Sequence, residues 1–309
     1  MILLWGLMDD PPMAMARAAL EGAGADCFFL DHRRIFASDI ECAHGAGTGC
    51  RCRVSDGEST FDLRDVGAAY VRGQNFLDYE EMQDRPRGDP LAARALGFEL
   101  QLTACLDASD AVVINRSEPS ATNNSKPLQL AAIRGAGLGI PETFISNDAG
   151  AVRRFLAANP DSVFKSISGV RSIVRRVCAE HRGSIDDVAW CPTLFQRVVP
   201  GTNYRAHVVG GEVFAVRIES SELDYRYGDT SMAAEELPAE VAQACRRISS
   251  ALGLHFTGID LMRTPGGEWF CFEVNPSPAY SYFEQGGGQP ISAALARFMV
   301  DADRGRGRH

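Results

Sequence analysis

A carboxylate and an amide stand two residues apart in the apolar stretch CFEVNPSP, at positions 271–278. Successive side chains of a β-strand point to opposite faces, so Glu273 and Asn275 share one face of this strand. Upstream, TGIDLMR is typical of a second strand and carries Asp260, and TPGGE lies between the two strands as a turn. If residues 265–268 form a four-residue hairpin loop, Asp260 falls directly opposite Glu273.

Two like charges that face each other on a sheet are destabilising unless a cation lies between them. Magnesium binds carboxylate and amide oxygens together with phosphates and water, so Asp260, Glu273 and Asn275 are candidate Mg²⁺ ligands. The opposite face is expected to be core, and it carries Ile259, Leu261, Phe270, Phe272 and Val274. The alternative is a solvated face whose acids bind nothing. The position of these polar residues in the middle of an apolar hairpin favours the metal site.

Two lysines precede this hairpin in the sequence. Lys126 stands at the start of a predicted helix, and Lys165 ends the apolar strand SVFK and leads into SISGVRS. A loop of small residues with free N–H groups, here around Ser168 and Gly169, can bind phosphates together with a lysine. The signal is weak when each lysine is taken singly, because SGV is not a P-loop and lysines are ordinary surface residues.

Two arginines lie on the arms of another predicted hairpin, YRAHVVGGEVFAVRI. With a three-residue loop at 210–212, Arg205 faces Arg217, whereas with a two-residue loop the two side chains point to opposite faces. Two facing arginines need an anion between them, such as a phosphate or an acyl phosphate. We expect the three-residue loop and the facing pair. The alternative is two solvated arginines on an exposed face.

Composition limits the function classes. The chain has 309 residues, of which 45% are hydrophobic, and a net charge of −9. More than one domain is expected at this length, and the negative charge argues against a nucleic-acid partner. The N-terminus lacks a basic leading segment, and no apolar run is long enough to cross a membrane. We therefore expect a cytoplasmic protein.

Nine cysteines are scattered along the chain, and reduced thiols in a cytosol are the simplest interpretation for a protein of this size. One segment, CAHGAGTGCRC, places Cys42, His44, Cys50 and Cys52 close together. Their spacing is tighter than that of usual zinc sites. The sequence therefore favours a glycine-rich loop over a metal site.

The elements that must position these residues fall into domains. Strands alternate with helices over residues 1–115, which predicts an amino-terminal α/β domain with a small parallel sheet. A central lid subdomain is expected at 116–200. Hairpins dominate the carboxy-terminal subdomain at 201–300, which ends in a helix over 291–300. A tail is expected at 301–309, and its basic segment RGRGRH, at 304–309, is expected to be a frayed, solvated end.

The order of these features resembles the ATP-grasp carboxylate–amine ligases: two lysines, a strand that turns a corner at Pro-Gly, an arginine hairpin, and then GID followed by FEVNPSP. The resemblance covers the chain from about Asn115 to the last helix. It implies an α+β fold of the ATP-grasp type and ATP with Mg²⁺ as cofactors. The residues that match functional positions of the family are the phosphate-binding Lys126 and Lys165, the adenine-reading backbone of Gln196, Arg197 and Val198, the transfer arginines Arg205 and Arg217, and the magnesium ligands Asp260, Glu273 and Asn275.

Within that family, VINRSEPSATNNSKPLQLAAIRGAGLGIPETFISND and RIESSELDYR most resemble the graspetide maturases, which are microviridin-type peptide macrocyclases. The ribosomal-protein glutamate ligases are the next neighbours. The maturases carry a similar D-Y-R, here Asp224, Tyr225 and Arg226, and these are candidate substrate contacts.

The resemblance implies a ligase that activates a carboxylate as an acyl phosphate and joins it to an amine or hydroxyl. Macrocyclisation of a ribosomal precursor peptide through its side chains is the expected reaction. One alternative is a ligase that adds an amino acid to a small carboxylate substrate or a peptide terminus. Another is a non-catalytic nucleotide sensor. A homodimer is expected, with neither nucleic acid nor membrane as a partner.

Overall fold

The computed structural model describes residues 1–45, 49–86, 88–167, 174–220 and 230–306. The chain divides into two compact units. Unit 1 consists of Met1–Ser117, Ala279–Ser281 and Pro290–His309, and unit 2 consists of Glu118–Pro278 and Tyr282–Gln289. The C-terminal end of the chain therefore belongs to the same unit as its beginning.

Strands and helices alternate in the first part of unit 1. They are β1 (Ile2–Gly6), α1 (Pro11–Gly22), β2 (Cys27–Asp31), β3 (Asp39–Gly45), β4 (Gly49–Ser55), β5 (Thr60–Asp62), β6 (Ala68–Val71), α2 (Pro90–Asp107) and β7 (Val112–Ile114). The strands β2-β1-β6-β7 form a parallel sheet, and β3-β4-β5 form a separate antiparallel sheet. Every residue of β1 is buried, as is usual for an inner strand of a parallel sheet. The predicted small parallel sheet is therefore present.

One hydrophobic core joins both sheets of unit 1 to α2. Trp5 and Leu30 reach it from the parallel sheet, Val54 from the antiparallel sheet, and Phe98 and Leu102 from the helix. The two helical residues are four apart, so they lie on the same side of α2.

The last helix also belongs to unit 1. This helix, α9, spans Ile291–Arg306 and packs on β1, β6 and β7. The sequence predicted that it ends at residue 300, and this is wrong because the helix continues to Arg306. The rest of the predicted tail, residues 307–309, lies outside the described part of the chain. Its last turns are held by Asp303, whose Oδ1 lies 2.9 Å from the N-terminal ammonium of Met1.

Unit 2 contains two antiparallel sheets. Its elements are α3 (Ser117–Ala121), α4 (Lys126–Gly135), β8 (Thr143–Ser146), α5 (Ala149–Ala158), β9 (Ser162–Ser166), β10 (Arg175–Arg176), α6 (Ala179–Gly183), β11 (Thr193–Arg197), β12 (Thr202–Val209), β13 (Glu212–Ser220), β14 (Thr230–Ala234), α7 (Ala239–Ala251), β15 (Phe256–Arg263), β16 (Trp269–Asn275) and α8 (Ser281–Gly287). The first sheet has the order β10-β9-β11-β8, and the second has the order β14-β13-β12-β15-β16.

Each sheet of unit 2 has its own helices and core. The α5 helix begins after its cap Asp148, whose carboxylate accepts the N–H of Ala151, and it buries Val152 and Leu156 beside the first sheet. The second sheet buries its apolar face against α4 and α7. No helix in the described ranges is long and apolar enough to span a membrane.

Candidate active site

One face of the β15–β16 hairpin carries the predicted metal ligands. Asp260 lies directly opposite Glu273, and Gly258 lies opposite Asn275. Because opposite residues share a face and side chains alternate along a strand, Asp260, Glu273 and Asn275 lie on one face. The Oδ1 of Asn275 accepts the N–H of Ser277 at 2.8 Å, which orients the amide. Three oxygen-bearing side chains therefore share a surface, and this donor set fits Mg²⁺.

The predicted hairpin loop is wrong, although the pairing drawn from it is correct. Arg263 pairs with Trp269, so the loop runs over residues 264–268 and is one residue longer than predicted. A β-bulge at Phe272 compensates for the extra residue, because it shifts the register of β16 back by one.

The bulge also changes the core face of the hairpin. Leu261 pairs with Cys271, and both are buried in the core of unit 2, as predicted for Leu261 but not for the cysteine. Phe270 and Phe272, which were predicted to be core, are only half-buried. A strict alternation of side chains cannot anticipate this change, because it begins at the bulge.

Two buried lysines lie against Glu273. Lys126, the first residue of α4, is 3% exposed and donates to Oε1 of Glu273, and Lys165 on β9 is 5% exposed with its Nζ 3.5 Å from Oε2. Burial by itself would raise the pKa of Glu273, but the ammonium groups of Lys165 and Lys126 outweigh it and hold that pKa below its ordinary value of 4.5. The structure thus brings the two lysines and one predicted metal ligand together.

Gln129 sets the position of Lys126. Its buried side chain forms two hydrogen bonds with the backbone of Val274: Nε2 donates to the carbonyl at 2.7 Å, and Oε1 accepts the N–H at 3.2 Å. These bonds fix α4 to β16 beside Glu273. Lys126 lies three residues earlier on the same side of the helix. The sequence analysis missed Gln129. Its position offered a signal, because a polar residue four positions before the buried Ile133 lies on the buried side of the helix.

Arg205 completes the cluster from β12. It lies opposite Asp260, and its Nη1 donates to Oδ1 of Asp260 at 2.7 Å. The guanidinium carbon lies 5.3 Å from the centre of the Phe283 ring. A Cβ added at Gly258 would stand 2.0 Å from Nη2 of Arg205, so only glycine fits beneath the guanidinium. The sequence analysis missed both Gly258 and Phe283 as positioning residues.

These five ionisable side chains carry more positive than negative charge. Lys126, Lys165 and Arg205 are almost fully buried, while the facing Asp260 and Glu273 side chains are 30% and 26% exposed. Three cations against two carboxylates leave a formal charge of +1. Because buried charge is stable only when it is paired, the cluster suits an anionic ligand. The accessible carboxylates suit a hard cation that arrives with it.

Arg217 does not face Arg205, so the predicted arginine pair is wrong. The β12–β13 hairpin has a two-residue loop, and Arg217 lies opposite Tyr204. Both loop residues, Gly210 and Gly211, have positive φ values of 61° and 142°. Glycine permits these values, so a two-residue turn forms, and the register moves by one residue relative to the predicted three-residue loop. That shift turns Arg217 to the other face of the sheet.

Arg217 binds carboxylates on its own face. It donates to Oε1 of Glu219, and its Nε lies 3.0 Å from Oε2 of Glu235. The hydroxyl of Tyr204 donates to the other oxygen of Glu235 at 2.8 Å. An anion held jointly by Arg205 and Arg217 is therefore incompatible with this sheet.

The segment Gln196, Arg197 and Val198 lies at the end of β11. Gln196 is buried. The N–H of Arg197 donates to the carbonyl of Glu142 at 2.9 Å, and that of Val198 donates to the carbonyl of Asp161 at 3.0 Å. Both N–H groups are engaged within the protein, so recognition of an adenine by this backbone requires its carbonyl groups or an exchange of these partners.

The predicted site residues thus divide into groups. Those that share one cluster are Lys126, Lys165, Arg205, Asp260, Glu273 and Asn275. Arg217 lies on the opposite sheet face. Five predicted residues lie outside the described part of the chain: Ser168, Gly169, Asp224, Tyr225 and Arg226.

Several solved structures match almost the entire chain. The macrocyclase MdnC of Microcystis aeruginosa MRC, bound with its precursor peptide MdnA, superimposes with a TM-score of 0.81 at 23% identity, over 97% of this chain and 100% of that one. The ATP-grasp ligase PsnB, complexed with a phosphomimetic variant of a minimal precursor, Mg and ADP, gives a TM-score of 0.83 at 26% identity, over 98% of both chains.

A third match is the RiPP-associated ATP-grasp ligase of Chryseobacterium gregarium, in complex with ADP and a leader and core peptide. Its TM-score is 0.83 at 18% identity, over 97% of this chain and 96% of that one. No protein-family model and no curated protein sequence matches the chain. The structural matches confirm the fold class and the resemblance that the sequence indicated.

Proposed function

We propose that this chain, which has the ATP-grasp fold, is a ligase that uses ATP to join a side-chain carboxylate of a ribosomal precursor peptide to an amine or hydroxyl of the same peptide. The observation that carries the proposal is the cluster of buried Lys126, Lys165 and Arg205 around the accessible carboxylates of Asp260 and Glu273. It combines an excess of buried positive charge with hard oxygen ligands, and a nucleotide–metal complex needs both.

The residues of the cluster divide the reaction between them. The substrate carboxylate attacks the γ-phosphorus of ATP in line, ADP leaves, and an acyl phosphate forms. Lys126 and Lys165 bind the phosphate chain. The amine or hydroxyl then attacks the acyl carbon and loses its proton, and inorganic phosphate departs. Arg205 stabilises the negative charge on the acyl oxygen during this second step.

Asp260, Glu273 and Asn275 are the residues that would hold Mg²⁺, since their oxygens share one face of the hairpin. When bound there, the ion neutralises charge on the phosphates of the nucleotide. Without nucleotide, Lys126 and Lys165 neutralise Glu273. We propose that both lysines exchange this carboxylate for phosphate oxygens when ATP binds, so each lysine has a partner of opposite charge in both states.

A peptide substrate is supported by the matched structures, which contain a precursor peptide, a variant of a minimal precursor, and a leader and core peptide, respectively. Unit 1 also contains a cavity of about 500 Å³, with Phe76, Leu77 and Leu96 among its lining residues. Leu77 and Leu96 are 55% and 46% exposed, so an apolar segment of a precursor can bury them. Arg226 and its neighbours Asp224 and Tyr225 remain proposed substrate contacts.

The test is incubation of the purified protein with ATP, Mg²⁺ and candidate precursor peptides, followed by mass spectrometry of the peptide. Each ring formed removes the mass of one water, whereas ligation of a free amino acid adds mass and would indicate the alternative ligase. The ligase function would be contradicted if no peptide or small carboxylate stimulated ATP hydrolysis and every peptide remained unchanged in mass.

The proposal includes a cytoplasmic homodimer that binds no nucleic acid. Light scattering of the purified protein measures its molar mass directly. A monomer mass over the full range of protein concentrations would contradict the homodimer but leave the ligase intact, because the described catalytic cluster lies within one unit of one chain.

A further inference from the structure

Three thiols meet in unit 1, apart from the residues assigned to ATP. The sulfur of Cys42 lies 2.7 Å from that of Cys52 and 3.2 Å from that of Cys105. The sulfurs of Cys52 and Cys105 lie 2.8 Å apart. Among the cysteine, histidine and acidic side chains of the described residues, these three thiols are the group whose ligand atoms lie close enough together to hold one metal ion.

The fold builds this cluster from two separate elements. Cys42 on β3 and Cys52 on β4 lie directly opposite each other, so their side chains share a face of the hairpin. Cys105 comes from the last turns of α2, more than fifty residues further along the chain. Gln101, one helical turn earlier, directs its Nε2 toward the sulfurs of Cys105 and Cys42, at 3.3 and 3.5 Å.

The surroundings suit a structural metal ion. Cys52 and Cys105 belong to the hydrophobic core of unit 1, and Cys42 packs against it while it remains partly exposed. Thiolates are soft ligands that bind Zn²⁺ tightly, and the partly exposed side leaves room for a fourth ligand from solvent. Amide N–H groups near the sulfurs, such as those of Gln101, stabilise thiolates bound to a metal.

We propose that Cys42, Cys52 and Cys105 bind one Zn²⁺ ion, which links the β3–β4 hairpin to α2. Each thiol releases its proton to solvent when it binds the ion. A tetrahedral site with Zn–S bonds of about 2.3 Å places the sulfurs roughly 3.8 Å apart, so each side chain moves by less than about 1 Å on loading. The proposed ion belongs to unit 1, whereas the ligands proposed for Mg²⁺ belong to unit 2.

The sequence favoured a glycine-rich loop here over a metal site, whereas Cys42 and Cys52 lie on paired strands. The segment around Cys42 and Cys52 also contains His44 and Cys50, whose side chains lie outside the described part of the chain. Cys105 could not be associated with this segment from spacing alone, since only the fold of unit 1 brings α2 to the hairpin.

A disulfide is the competing chemistry, because two of the three sulfurs can approach to about 2.05 Å if they are oxidised. A disulfide would leave one thiol and no trithiolate ligand set. The two possibilities therefore predict different metal contents and different peptide maps.

The experiment measures metal in the full-length protein purified under reducing conditions. We expect about one Zn²⁺ per chain by elemental analysis. After exchange with Co²⁺, we expect an intense thiolate-to-cobalt charge-transfer band together with the visible bands of a tetrahedral site. The proposal would be overturned if the reduced wild-type protein contained no zinc and, after exchange with Co²⁺, showed none of these absorption bands. No variant is needed for this test.

Variants identify the ligands. Cys105→Ser and, separately, Cys42→Ser are expected to lose the metal, while Cys27→Ser, a cysteine of the same unit outside the cluster, retains it. Circular dichroism establishes that each variant is folded. Retention of zinc by folded Cys42→Ser and Cys105→Ser, or a disulfide between any two of the three cysteines in the freshly purified wild-type protein, would contradict the site.

Discussion

At the scale of single residues, the proposed function requires charged side chains that exchange their partners. Glu273 is a proposed metal ligand, yet without ligands it is the counter-ion of Lys126 and Lys165. A buried ion pair contributes less net stability than its attraction alone would give, because desolvation of both partners opposes that attraction. Such a pair is therefore well suited to open when a polyphosphate and a cation bind in its place.

Replacement of Glu273 by glutamine is expected to abolish ATP-dependent peptide modification while the protein remains folded. Glutamine keeps the shape and one oxygen of the side chain, but it removes the negative charge that holds a cation. Turnover measured by mass spectrometry and folding measured by circular dichroism check this. Glu219→Gln is the matched control, because Glu219 lies beside Arg217 on the other sheet face. Normal turnover by Glu273→Gln would refute the metal assignment.

The difference in stability between the wild type and the Glu273→Gln variant is expected to depend on pH. The pKa of Glu273 is lowered in the folded protein from an ordinary value of 4.5, so its ion pairs contribute stability that is fully present above that value. The contribution is lost as the pH falls through the lowered folded pKa. Denaturant unfolding at a series of pH values is expected to show a wild-type advantage over Glu273→Gln that is constant above pH 4.5 and shrinks below it. An advantage that grows with acidity would contradict the ion pairs.

At the scale of elements, two residues position the cluster. Gln129 joins α4 to β16, and Gly258 on β15 leaves space for the guanidinium of Arg205. Neither residue carries the chemistry itself. Each determines whether a charged side chain on a neighbouring element reaches its place.

Gly258→Ala is expected to displace Arg205, because the added methyl group would stand 2.0 Å from its Nη2. Loss of one preorganised charge donor lowers kcat by on the order of 10²–10³. Gly266→Ala in the loop of the same hairpin is the control, since its added Cβ meets only Thr264 Oγ1, at 3.7 Å. Steady-state kinetics compare the two variants. Equal kcat values in both would show that the position of Arg205 is unimportant.

Gln129→Leu leaves the N–H and carbonyl of Val274 without their side-chain partner. A buried group that loses its hydrogen bond costs about 1–3 kcal/mol of unfolding free energy. Because α4 also carries Lys126, we expect weaker ADP binding in addition to lower stability. Calorimetry measures the ADP affinity. Arg134→Leu changes an exposed residue of the same helix and serves as the control. Unchanged ADP affinity in a destabilised Gln129→Leu protein would limit Gln129 to a structural role.

At the scale of the whole molecule, the last helix of the chain packs on strands from its beginning. The α9 residues Ile291, Leu295 and Met299 are fully buried in unit 1. Burial of each large apolar side chain contributes roughly 1.5–3 kcal/mol, and a domain is stable by only about 5–15 kcal/mol in total.

A chain that ends at residue 290 is therefore expected to lose the folded state of unit 1, whereas a chain that ends at residue 306 keeps it. Thermal unfolding followed by circular dichroism, together with solubility on expression, distinguishes the two truncations. A soluble and cooperatively unfolding protein that lacks α9 would show that unit 1 is complete without it.

Sequence patterns were sufficient to predict many of the elements and most members of the proposed catalytic cluster. The alternation of polar and apolar residues predicted the face shared by Asp260, Glu273 and Asn275, and the order of lysines, arginines and acids indicated the ATP-grasp fold. The shared face is a local feature of the chain, so periodicity is sufficient to reveal it. The fold followed from a resemblance to a known family, which the order of these residues carries.

The tertiary structure decided what depends on a single residue of register or on distant contacts. The Gly210–Gly211 turn placed Arg217 and Arg205 on opposite faces of the sheet. The bulge at Phe272 placed Cys271 in the core, where Phe270 and Phe272 had been predicted. Gln129 and Cys105 acquired their partners only when helices packed on strands far away in the sequence. Register changes by whole residues and packing is non-local, so neither could be obtained from a local pattern.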